Sequence, residues 1–148
     1  MNKNEQDARV EVRGRLCLQV GRCLRADGRI KDAVQWLEES RDRREHLAED
    51  HPDRLASQAQ LASAYLADGQ VKEAVRLLEQ MVAIRERELA EDHPDRLTSQ
   101  HNLARAYLAD GQVKEAVRLL KQVVVIHERE LAEDNPLRLT SQHMSDFH

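Results

Sequence analysis

The chain has 148 residues, a formal net charge of −4, 34% charged residues and only 3% aromatics. That length fits one domain able to bury a real core. The balance of Leu, Ala, Glu and Arg favours helices over a β-sandwich, and the absence of a basic excess argues against a nucleic-acid partner. No apolar run reaches the roughly 20 residues of a membrane span, and "MNKNEQDARVEVR" lacks a signal-peptide segment. The expectation is a cytoplasmic protein with neither membrane nor nucleic acid among its partners.

In chain order, the first signal is a helical stretch holding Cys17 and Cys23. Six residues apart, they lie on different helix faces and suit neither a disulfide nor a zinc site. Both read as reduced packing residues. After "ADG" at Ala26–Gly28 a second amphipathic run follows, with Trp36 as a packing residue of its apolar face. The next elements announce a repeat. "AYLADGQVKEAVRLL" occurs unchanged at Ala64–Leu78 and Ala106–Leu120, and Leu61–Gln100 matches Leu103–Gln142 at 33 of 40 positions. "ADGRIKDAVQWLEE" at Ala26–Glu39 is a diverged earlier copy, offset by 41 where the later link "LAEDHPDRL" is offset by 42. One residue is therefore missing near Ser40–His46.

The punctuation keeps the same phase. All three prolines (Pro52, Pro94, Pro136) are 42 apart, and Gly28, Gly69 and Gly111 hold one repeat position. Because these two residue types carry the strongest backbone restrictions, their agreement weighs more than matching Leu or Glu. Each unit predicts a first helix A of about fifteen residues, closed by a left-handed glycine, and a helix B of about twenty. Proline opens the next helix A, with His51, His93 or Asn135 at the cap position before it. The units run over about 10–51, 52–93 and 94–135, with a truncated fourth helix A at 136–143. On helix B, Arg87 stands four residues before Glu91 and Arg129 four before Glu133, a spacing that predicts solvated i,i+4 pairs.

The pattern Leu103, Ala104, Tyr107, Gly111, Ala116 and Leu120 resembles the tetratricopeptide repeat (TPR) signature, and Leu61, Ala62, Tyr65, Gly69, Ala74 and Leu78 match it equally. The first copy (Val20, Gly21, Leu24, Gly28, Ala33, Leu37) loses the tyrosine. The family's usual unit is about 34 residues. The longer unit here is similar to kinesin light chain repeats and to the C-terminal arrays of fungal NOD-like (STAND-type) receptors. The resemblance implies an all-α, right-handed α-α superhelix of three helix hairpins, with helix A lining a concave surface that binds peptides or proteins. By position the groove residues would be Arg15, Gln19, Arg22 and Arg25, then Gln60 and Ser63, then His101, Asn102 and Arg105. The arginines point to an acidic peptide or protein.

No phosphate loop, nucleophile elbow or His/Cys metal cluster is present, so no catalytic residue, metal or cofactor is expected. The alternative reading is a structural, self-associating array, or the sensor segment of a larger NOD-like receptor, without a ligand groove of its own. Its exposed solenoid ends leave room for a homodimer.

Overall fold

The computed structural model describes residues 2–134. Over them the chain forms six helices and no strand: α1 Lys3–Ala26, α2 Ile30–Arg43, α3 Pro52–Ala67, α4 Val71–Glu88, α5 Pro94–Ala109 and α6 Val113–Asp134. They pair as three hairpins, α1–α2, α3–α4 and α5–α6, stacked into an α-α solenoid by contacts of α2 with α3 and α4 with α5. The fourth helix A expected at 136–143 lies outside the described residues.

The repeated turns have a common cause. Gly28, Gly69 and Gly111 take φ of 80°, 81° and 78°, the left-handed region where an L side chain is strained. In the second hairpin the Gln70 N–H reaches the Tyr65 carbonyl at 2.8 Å and the Gly69 N–H that of Leu66 at 3.2 Å. Carbonyls orphaned at the end of helix A are thereby satisfied while the chain reverses. At the opposite end His51 and His93 do cap helix A: their Nδ1 atoms accept from the N–H of Asp53 at 3.0 Å and Asp95 at 3.1 Å. Pro52 and Pro94 fill the first helical turn, where a missing N–H costs nothing.

Two apolar clusters straddle the hairpin boundaries. One gathers Leu18, Ala33, Val34, Leu37, Leu61 and Tyr65; the other Leu55, Val75, Leu78, Met81, Val82, Ile84 and Leu103. Each full side-chain burial contributes about 1.5–3 kcal/mol, so neighbouring hairpins depend on one another for their cores. The small residues lie at the close approaches within hairpins. Ala62, Ala104, Ala74 and Ala116 are all buried. At Gly21 an added Cβ would lie 2.5 Å from both Cγ and Cδ2 of Leu37, which is itself fully buried.

Three expectations change. Cys17 is buried, but Cys23 is exposed and packs nothing, because six residues turn it to the far side of α1. Helix A of the first hairpin runs 24 residues, starting at Lys3 behind an Asn2 cap, while its helix B stops after 14. The i,i+4 pairs do not form: Arg87 instead bonds Glu49 at 2.6 Å and Arg129 bonds Glu91 at 2.8 Å. Since α4 ends at Glu88, Glu91 is no longer on the helix, and each arginine reaches back to the link that precedes its own hairpin.

Candidate functional surface

α1 touches α3 directly, whereas α4 and α6 part to leave a furrow of about 370 Å³ floored by Leu103 and Tyr107 of α5. On the helix-A side, Arg15, Gln19 and Arg22 are spaced by four and three residues, share one face of α1, and are exposed. Gln60 and Ser63 hold the same places on α3, and Asn102 and Arg105 on α5; of these Arg105 is exposed and the other three half-buried. Arg25 is less free, since its Nη2 donates to Gln60 Oε1 at 3.1 Å across the α1–α3 boundary. His101 leaves this face. One residue before Asn102, it turns toward α6 and lines a hollow of about 350 Å³ with Leu97, Val123 and His127.

Beyond their first turns the helices A are basic. From Val12 to the end of α1, from Arg54 to the end of α3 and from Arg96 to the end of α5 there are seven arginines and not one carboxylate. The helices B mix both signs: Asp32, Glu38, Glu39 and Asp42 stand with Lys31, Arg41 and Arg43 on α2, and Glu73, Glu79, Glu86 and Glu88 with Lys72, Arg76, Arg85 and Arg87 on α4. Four of the seven arginines are engaged. Arg13 bonds Glu39 at 2.7 Å, Arg25 holds Gln60, Arg54 donates to the carbonyls of Glu45 and Leu47, and Arg96 to those of Glu86 and Leu89. Arg15, Arg22 and Arg105 make no ion pair among the described residues. They are the basic groups left facing solvent on these stretches of the helices A.

Polar contacts between hairpins also repeat. The Tyr65 hydroxyl donates to Glu38 at 3.0 Å and that of Tyr107 to Glu79 at 3.1 Å, each tying helix A to the preceding helix B. Burial, then the carboxylate partner, pushes the Tyr107 phenol up to about 12. Lys31 pairs with Asp68 at 3.1 Å and Lys72 with Asp110 at 3.2 Å. A hydrogen bond from the side chain of Gln70 or Gln112, and then the lysine, holds each aspartate below its ordinary range. Sequence spacing did not reveal these links, because they join residues 27–38 apart. The signal was available only in the repetition of Tyr, Glu, Lys and Asp at the repeat period.

Among the described residues no group of three or more His, Cys, Asp or Glu is placed to hold a metal, and no helix is long and apolar enough to cross a membrane.

The family model of the tetratricopeptide repeat matches residues 14–87 and 60–129. Among solved structures, the chain is similar to nearly identical TPR-like repeats described as a kinesin light chain of Podosopora anserina. The identity is 50% and the TM-score 0.73, over 88% of this chain and 62% of that one. The chain thus spans less than two thirds of that relative. The TPR domain of Arabidopsis FLU shares the fold at 15% identity, with a TM-score of 0.67 over 81% of this chain and 98% of that domain. No curated protein matches by sequence.

Proposed function

The chain belongs to the tetratricopeptide repeat family, whose repeats mediate protein–protein interaction, and from that premise we propose that its helix-A surface binds an acidic peptide segment of a protein partner. The observation that carries this is the placement of charge: from Val12, Arg54 and Arg96 to the ends of their helices the helices A hold seven arginines and no carboxylate, on a chain whose net charge is −4, the acidic residues Glu5, Asp7, Glu11, Asp53 and Asp95 being confined to the helix starts. Such a field would draw in a negatively charged segment. Arg15, Arg22 and Arg105 would pair with the ligand's carboxylates. Gln19, Gln60 and Asn102, at equivalent places on successive helices A, would hydrogen-bond its backbone. A labelled glutamate-rich peptide titrated by fluorescence anisotropy tests the reading. The Arg22→Ala/Arg105→Ala protein should bind about 1–2 kcal/mol more weakly, roughly five- to thirtyfold in Kd, with affinity falling as salt rises. Equal binding by the intact and doubly substituted proteins would refute it.

A second reading, in which the array associates with itself through its ends, is favoured by the exposed apolar residues Val12, Leu16 and Val20 on α1 and Val117 and Val124 on α6.

A further inference from the structure

The two ends of the described stack, α1 and α6, are the two halves of its internal boundary. Within the stack, the face of α3 that meets the preceding hairpin carries Ser57 and Leu61, both fully buried. Shifted back by 41 residues, the corresponding face of α1 carries Leu16 and Val20, which are 48% and 37% exposed. With Val12 and Trp36 they line a hollow of about 350 Å³. Leu16 stands where α3 has a serine, so this uncovered face is more apolar than its buried counterpart. At the other end, Val75 and Val82 of α4 are buried by α5, whereas Val117 and Val124, 42 residues on, are 42% and 52% exposed. Among the described residues, a helix-A-receiving face and a helix-B-receiving face are thus both open.

The charges complete the match. Every described boundary is crossed by a lysine from the start of helix B to the aspartate closing the next helix A: Lys31 to Asp68, then Lys72 to Asp110. The next lysine of the series is Lys114, and the aspartate that begins it is Asp27, at the opposite end. Both are exposed, and neither has an ion-pair partner among the described residues. One molecule offers the lysine that another lacks.

We propose that a second copy of this chain docks head to tail, the α1 face of one molecule on the α6 face of the next, continuing the repeat register across the contact with a Lys114–Asp27 pair. This rests on the self-association reading and specifies its geometry: a heterologous contact that does not close on itself, not a two-fold one. The Tyr–Glu bond of the internal boundaries does not extend to it, since Leu24 replaces the tyrosine and Lys121 the glutamate. The contact is therefore weaker than an internal boundary and reversible.

Sedimentation velocity on the full chain tests this with Leu16→Glu and Val124→Glu, both at half-exposed sites, with circular dichroism to confirm retained helix. The wild type should grow in mass with concentration beyond a dimer. Each variant alone should be monomeric, because every contact needs both faces. An equimolar mixture should form a 1:1 dimer and stop there, since one intact face remains on each partner. A wild type that stays monomeric at millimolar concentration overturns both this geometry and self-association. A wild type that dimerises, with one variant still dimeric and no gain on mixing, overturns the head-to-tail geometry while leaving self-association standing.

Discussion

The boundary between the first and second hairpins and the boundary between the second and third occupy the same place in the repeat, yet they are built from different chemistry. At α4–α5 the stretch Met81–Ile84 is apolar, with Met81, Val82 and Ile84 buried against Leu103 and Ala106, while polar links such as Tyr107–Glu79 and Gln100–Glu86 flank it. Shifted by 41, the same places on α2 hold Ser40, Arg41 and Arg43, followed by Arg44. Ser40 donates to the Gly14 carbonyl at 2.8 Å and meets the Ser57 hydroxyl at 2.9 Å. Arg44, only 3% exposed, donates to the Asp53 carbonyl at 2.9 Å and to Ser57 at 3.1 Å, with Glu11 at 3.6 Å. Ser99, the counterpart of Ser57, merely bonds back to the Asp95 carbonyl of its own helix. The repeat register therefore fixes where helices lie without fixing what holds them there. An apolar contact tolerates sliding, whereas a buried polar network is satisfied in one arrangement only.

The largest test of that contrast is Arg44→Ala against Arg85→Ala. The first removes two charged hydrogen bonds and buried volume, and should cost about 2–4 kcal/mol in chemical denaturation. The second loses only a 4.0 Å approach to Asp95, and should cost less than about 1 kcal/mol. Equal losses would erase the distinction. Next comes the interior of the first hairpin: Gly21→Ala drives a Cβ into Leu37 and should destabilise by about 1–3 kcal/mol, although alanine is the better helix former. A stabilised variant would contradict the tight approach.

Ser57→Ala should cost about 1–2 kcal/mol by leaving buried donors short of a partner, and Ser99→Ala no more than about 0.5 kcal/mol. The smallest effect concerns pH. An ordinary tyrosine titrates near 10, and Tyr107 near 12. The unfolded chain therefore loses this proton first. The stabilisation is whole below pH 10 and fades as pH rises toward 12. Tyr107→Phe should flatten that decline in thermal denaturation; an unchanged slope would rule out the contribution.

The fold was legible because prolines and glycines mark turns irrespective of tertiary context: Pro52 and Pro94 open helices, and Gly69 and Gly111 close them. What escaped was the choice of partners. Arg87 and Glu91 have ideal helical spacing, but the helix ends between them. Arg25 looks like a free groove arginine, yet holds Gln60. His101 and Asn102 are adjacent in sequence and point to different surfaces. A missing residue near Ser40–His46 was visible, but not that a buried arginine and two serines would bridge that boundary. Side-chain pairing over 13 to 38 residues depends on the completed stack.

The most direct measurement is a backbone amide NMR titration with an acidic peptide. That placement of charge predicts that the perturbed amides cluster on α1, α3 and α5 around Arg22, Ser63 and Arg105. Perturbations confined to the helices B α4 and α6, which carry both charge signs, would contradict it.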